Sequence, residues 1–346
     1  MMRSFIDLSP EDRATYCRQA TEALPFPLPA AVIEKDFWVS WLLQVIMELP
    51  ETKGRLTFKG GTSLSKGYDL IDRFSEDIDL VLDRALLLPE ETTDPAALSN
   101  TKRKAYLDRL AAGCATWITT TLLPALRTRL DDLLPSGTWS LDPHIKGNET
   151  NLLFNYPGSL KDGLVGVIEH VLVELVPRAD DEPNTPRPIT PFVYLALPEA
   201  LGTATFNVPT LAPQRTLLEK ALLLHETIAG FNKGSERKSR HYYDLLKLDA
   251  GGYGAEAMAD RALFEAVVQH RRTFYRYGKL DYDALLRTGI AIVPPAEALP
   301  DWRGDYQRSA AMIYREVPTF EQLMQAAQDF QDTFNQWVQR TDPHAS

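Results

Sequence analysis

FKGGTSLSKGYDLIDRFSEDIDL, residues 58–80, joins a glycine pair and two hydroxyl residues to two aspartates through a short spacer. In the run Asp77-Ile78-Asp79-Leu80-Val81-Leu82 the apolar residues alternate, so the spacing predicts a strand. Period-2 geometry puts Asp77 and Asp79 on one face and Ile78 and Leu80 on the other. Two carboxylates so placed repel each other unless a cation sits between them. Hard oxygen ligands suit Mg²⁺ or Mn²⁺, which keeps some waters and completes its shell with substrate phosphates. The Gly60-Gly61-Thr62-Ser63 turn follows the strand-like Leu56-Thr57-Phe58 and precedes a helical run. It can offer backbone N–H groups, the Thr62 and Ser63 hydroxyls and the following Lys66 to a triphosphate. Together the two halves point to nucleotidyl transfer.

Neither half is specific alone: most Asp-x-Asp pairs are solvated strand edges, and Gly-Gly turns are common. Three further positions add weight. Glu174 lies in the dense apolar stretch of Ile168-Glu169-His170-Val171-Leu172-Val173-Glu174-Leu175. An unpaired carboxylate there costs several kcal/mol, so Glu174 is a candidate third metal ligand, with an ion pair to Arg178 as the plain alternative. Lys220 shares an apolar stripe with Leu217, Ala221 and Leu224 on a helix starting at Pro213. A lysine in such a stripe must snorkel outward or reach an anion, and a triphosphate is one. Asp244 precedes Leu245, Leu246 and Leu248 on an amphipathic run, with Arg240 and His241 on its side. An Arg240–Asp244 pair is the plain reading there, and His241 could titrate near neutrality, although a histidine without a visible partner is more often structural.

The resemblance runs further. The run Ile33-Glu34-Lys35-Asp36-Phe37-Trp38-Val39, the Gly60–Leu64 turn, Arg73-Phe74-Ser75-Glu76-Asp77-Ile78-Asp79, Thr216-Leu217-Leu218-Glu219-Lys220, and Arg240-His241-Tyr242-Tyr243-Asp244-Leu245 occur in that order. This series resembles the AbiEii/AbiGii toxin family, within the polymerase-β-type nucleotidyltransferase superfamily. The resemblance implies a toxin paired with an antitoxin in a toxin–antitoxin or phage-defence system. It further implies an RNA acceptor such as the tRNA 3′ end, NTP as substrate, and active-site roles for Lys220 and Asp244. Asp244 would act there as a base or as an orienter of Lys220. Glu34, Lys35 and Asp36, like Asp305 and Tyr306, match family motifs without a chemical role suggested by their types.

Composition sets the frame. A chain of 346 residues with 44% hydrophobic and 24% charged residues can bury a large core and form two subdomains. Its longest apolar run, Phe37–Met47, is too short to span a bilayer and reads as a core helix. No secretory signal opens the sequence, and the two cysteines, Cys17 and Cys114, lie far apart, which fits a reducing cytoplasm. A formal net charge of −10 requires any RNA contact to use a local basic surface. One candidate is Lys233, Arg237, Lys238 and Arg240. The other is Arg271, Arg272, Arg276 and Lys279, interleaved with Phe274, Tyr275 and Tyr277, which could stack on unpaired bases. The acidity also fits a protein partner.

The expected fold is α/β (α+β): a polymerase-β-like nucleotidyltransferase core with a mixed sheet over residues 1–210, and a largely helical domain over 211–346 that completes the active site. Short strands are expected between 137 and 178, a Pro- and Asp-rich exposed linker at 177–190, and loops at 230–238 and 293–304. The chemistry that follows is attack of an acceptor hydroxyl on the α-phosphorus of an NTP, releasing pyrophosphate, with Asp77, Asp79 and Glu174 holding divalent ions. Two alternatives stand beside it. One is nucleotidylation of a protein hydroxyl, or phosphoryl transfer, by the same site. The other is a nucleotide-binding component without turnover, which the intact Asp77 and Asp79 oppose.

Overall fold

The computed structural model describes residues 2–91, 93–160, 170–230, 236, 238–278 and 280–342. The chain divides into two compact units. The first comprises residues 1–68, 74–92 and 104–210, and the second 69–73, 93–103 and 211–346.

The first unit is built on a seven-stranded mixed sheet in the order β3-β4-β5-β2-β1-β7-β6. Its strands are β1 (Leu56–Lys59), β2 (Ile78–Leu82), β3 (Ser140–Lys146), β4 (Glu149–Asn155), β5 (His170–Val176), β6 (Asn184–Ile189) and β7 (Phe206–Leu211). β2 runs antiparallel to β1 and parallel to β5. In β5 the alternation is strict: Val171, Val173 and Leu175 are buried, while Glu174 lies on the half-buried face. Valine and leucine at every second position fix which face is core, and a one-residue slip would bury Glu174 instead.

β6 replaces the second half of the 177–190 segment read as an exposed linker, while 177–183 is turn and loop. Pro186 and Pro188 cannot donate ladder hydrogen bonds, yet an edge strand tolerates that, and β6 is an edge. The apolar run expected to be a core helix lies in the helix Ala30–Glu48, buried almost throughout from Val32 to Ile46. Trp38 stacks on Tyr156, and Trp41 on Phe154. Among the described residues no helix is long and apolar enough to cross a membrane.

The second unit is helical. Its main helices are Pro213–Ile228, Arg240–Ala250, Arg261–Phe274, Leu299–Ala310 and Phe320–Arg340. The last begins with a capping box in which Thr319 and Gln322 satisfy each other's backbone N–H groups. Phe264 meets Phe334 edge-on, and both meet Trp337. The helix at Leu299 starts inside the expected 293–304 loop. Pro300 in its first turn costs no hydrogen bond, so the helix can start there. Most of the 230–238 segment lies outside the described residues.

Candidate active site

β2 and β5 place the acidic residues. Their parallel register pairs Asp79 with Glu174, and the two side chains are hydrogen-bonded neighbours. Burial, then the charge of Asp79 and the bond to it, then the charge of Asp77, push the Glu174 carboxyl up to about 8. At neutral pH Glu174 therefore holds its proton, which is how it stands beside the Asp79 carboxylate. Among the described residues no three His, Cys, Asp or Glu side chains are already gathered into an ion cage. The donor set still fits a divalent ion: it is all oxygen, it is strained by like charge, and its proton is displaceable.

The glycine turn meets this pair directly. Lys59 pairs with Asp79 across the β1–β2 ladder, and the helix Gly60–Lys66 starts at once, with no side-chain cap. Gly60 has φ +81°, and a Cβ built there would stand 2.0 Å from Asp79 Oδ2. Only glycine allows the backbone so close to the carboxylate. Thr62 and Ser63 are buried, and both hydroxyl protons are committed inside the fold: Thr62 donates to the Asp77 carbonyl at 2.6 Å, and Ser63 to the Gly60 carbonyl at 2.9 Å. Thr62 thus ties the glycine helix to the aspartate strand. The Lys66 ammonium, expected near phosphate, sits 2.8 Å from Asp36 Oδ1 and 3.7 Å from the centre of the Phe192 ring, in the core.

In the second unit, Asp244 receives two bonds from Arg73, at 2.7 and 2.8 Å, and one from Lys220 at 2.8 Å. All three residues are buried. Burial alone would raise the Asp244 carboxyl, but the guanidinium and the ammonium outweigh it and hold the group well below the usual carboxylate range. Such a carboxylate is a poor proton acceptor, and it holds the Lys220 ammonium and the Arg73 guanidinium by hydrogen bonds. The apolar stripe of Pro213–Ile228 is real, and its lysine reaches an anion supplied by the protein itself. His241, 3.5 Å from Lys220 Nζ, is pushed well below its ordinary range by burial and by Lys220 and Arg240. It is therefore neutral, which fits the reading of a structural histidine.

Several charged residues take unexpected places. Arg73 and Glu76, three positions apart, belong to different units: Arg73 bonds Asp244, while Glu76 accepts from Lys35 at 2.5 Å. Arg271 is no stacking platform for RNA, because its buried guanidinium makes a two-bond pair with Glu226. Arg272 and Arg276 bond Asp283 and Asn100. Glu169, Lys233, Arg237 and Lys279 lie outside the described residues. Asp305 accepts from the Ser239 backbone N–H and hydroxyl at 2.9 and 2.5 Å, immediately before the helix that carries Asp244. Tyr306 donates to the Pro318 carbonyl at 2.6 Å. These two motif residues hold the fold.

Residues 41–336 match the family described as the nucleotidyl transferase AbiEii toxin of type IV toxin–antitoxin systems. The chain belongs to the AbiEii family. It is accordingly a nucleotidyltransferase toxin, of a class that works against an antitoxin partner and on a nucleotide substrate. Among solved structures it is similar to MenT4, a nucleotidyltransferase toxin from Mycobacterium tuberculosis H37Rv, at 17% identity and a TM-score of 0.45, over 96% of this chain and 94% of that one. It is also similar to JHP933 from Helicobacter pylori, at 14% identity and a TM-score of 0.42, over 89% and 94% of the two chains. No curated protein matches the sequence.

Proposed function

We propose that this AbiEii-family chain is a divalent-metal-dependent enzyme that moves a nucleotide from an NTP to an RNA acceptor end such as that of tRNA, acting in the cytoplasm and serving phage defence. The observation that carries the reading is the Asp79–Glu174 pair under Gly60, a strained all-oxygen donor set beside a glycine turn. Asp77, Asp79 and Glu174 would hold Mg²⁺ or Mn²⁺, with substrate phosphates and water completing the shell. When bound, such an ion supplies charge neutralisation at the reacting phosphate and lowers the pKa of the acceptor hydroxyl.

The chain's own residues do the rest. The Gly60–Ser63 backbone N–H groups face phosphate oxygens, with their hydroxyls occupied in holding the turn rigid. Glu174 gives up its proton on loading. Lys220, held by Asp244, is the phosphate-binding lysine that the family motif suggests, and Lys66 serves by fixing the end of the glycine helix rather than by touching phosphate. Catalysis of this kind is positioning and charge neutralisation.

A protein hydroxyl as acceptor is the second reading, favoured by the net charge of −10 and by the engagement of Arg271 in the core. Incubation with each labelled NTP, total tRNA and Mg²⁺ decides between the two: label in RNA supports the first, label in protein the second, and no label with any NTP overturns both.

A further inference from the structure

Glu34, Lys35 and Asp36 are three consecutive charged residues inside the Ala30–Glu48 helix, exposed by no more than 3%. Successive residues on a helix point about 100° apart, so the three carboxylate and ammonium groups leave in three directions. Glu34 accepts from the backbone N–H of Ser159 at 2.7 Å and of Leu160 at 3.2 Å. Lys35 donates to Glu76 at 2.5 Å. Asp36 takes the Lys66 ammonium on one oxygen and the Phe192 N–H, at 2.7 Å, on the other.

Two of these partners frame the candidate site. Glu76 is the residue immediately before Asp77, and Lys66 is the last residue of the helix that opens at Gly60. One helix therefore grips both the aspartate strand and the far end of the glycine helix, whose near end Thr62 ties to Asp77. A buried ion pair is costly to break, so neither grip slackens while the fold stands.

We propose that Lys35, through Glu76, is a positioning residue that sets where Asp77 stands relative to the Gly60 turn. The inference rests on the reading of Asp77 and Asp79 as metal ligands. Residues that orient ligands from behind typically change metal affinity by about 10–100-fold when lost.

The test uses the full chain and the variants Lys35→Met, Lys35→Arg, Glu76→Gln and the Lys35→Met/Glu76→Gln double. Mn²⁺ binding is followed by electron paramagnetic resonance in the presence of α,β-methylene analogues of all four nucleoside triphosphates, and melting temperature is recorded alongside. Positioning predicts that Lys35→Met and Glu76→Gln each weaken Mn²⁺ binding by about tenfold or more, that the double is no weaker than the worse single, and that Lys35→Arg recovers part of the loss. Charge alone predicts the opposite sign for Lys35→Met, since removing a cation beside an acidic site tightens cation binding. Tightening, or wild-type binding in folded Lys35→Met, overturns the proposal. So does failure of both single variants to fold, because the pair is then a fold element without a specific role at the site. Asp79→Asn separates the two levels: if it leaves Mn²⁺ binding intact, the metal reading fails, whereas its loss of binding beside an unaffected Lys35→Met sinks only the positioning role.

Discussion

The two units treat buried charge in opposite ways. In the first, Asp79 and Glu174 are like charges side by side, and a proton relieves them. In the second, Asp244 is surrounded by Arg73 and Lys220 and needs nothing more. A site left electrostatically incomplete is poised to take a cation, whereas a compensated one supports structure and holds a side chain in place. Both contain motif residues, and sequence pattern alone does not distinguish them.

The sharpest way to break this contrast is to neutralise one carboxylate in each unit. Asp79→Asn is expected to remove nucleotidyl transfer while staying within about 1 kcal/mol of wild-type stability, because the amide oxygen can still accept from the protonated Glu174. Asp244→Asn is expected to cost about 3–5 kcal/mol, since it leaves Arg73 and Lys220 buried against a neutral group. Urea titration of both variants checks this. A destabilised Asp79→Asn beside an unaffected Asp244→Asn would reverse the assignment of roles.

The sequence made the first unit legible because its signals are local. A period-2 strand and a Gly-Gly turn are read within a few residues, and the burial argument at Glu174 anticipated a partner that the β2–β5 register supplies. The second unit hid its partners because they are distant in the chain. Arg73 lies 171 positions from Asp244, in a five-residue segment that belongs to the C-terminal unit though it sits amid the motif. Periodicity showed that Lys220 faces an apolar stripe and therefore needs an anion. It could not say that the anion is Asp244. Lys35 went unassigned for the same reason. The one available signal was three charges inside an otherwise apolar helix, a pattern that demands buried partners.

Gly60 tests the near side of the acidic site at smaller scale. Gly60→Ala places a Cβ against Asp79 Oδ2 at a φ of +81°. The left-handed conformation alone costs an L residue about 1–2 kcal/mol, and the carboxylate must also move. The expected result is a modest drop in melting temperature with a disproportionate loss of transfer activity. By contrast, Gly230→Ala, at φ +79° with open space around its Cβ, should show the strain without the activity loss. Equal activity in the two variants would detach Gly60 from the site.

The smallest expected effect is a tilt of stability with pH, and its sign differs between the units. Glu174 is raised to about 8, so in the metal-free protein the folded state holds a proton that the unfolded chain has already released above its ordinary carboxyl range. The Glu174 contribution to stability must then fall as pH rises from about 4.5 toward 8, because the folded state binds more protons. Asp244 is depressed, so its contribution is present above the unfolded value and is lost only as acid carries the pH below it. Below the ordinary histidine range the buried, neutral His241 of the second unit tilts stability the other way, so the tilt belongs to the first unit only from about pH 7 to 8. Melting curves at intervals across that range should show a decline that Glu174→Gln flattens. Mg²⁺ with NTP should flatten it too, by taking the proton's place between the carboxylates. A decline that persists unchanged in Glu174→Gln would mean that the strain lies elsewhere, and the contrast between an incomplete and a compensated site would lose its electrostatic basis.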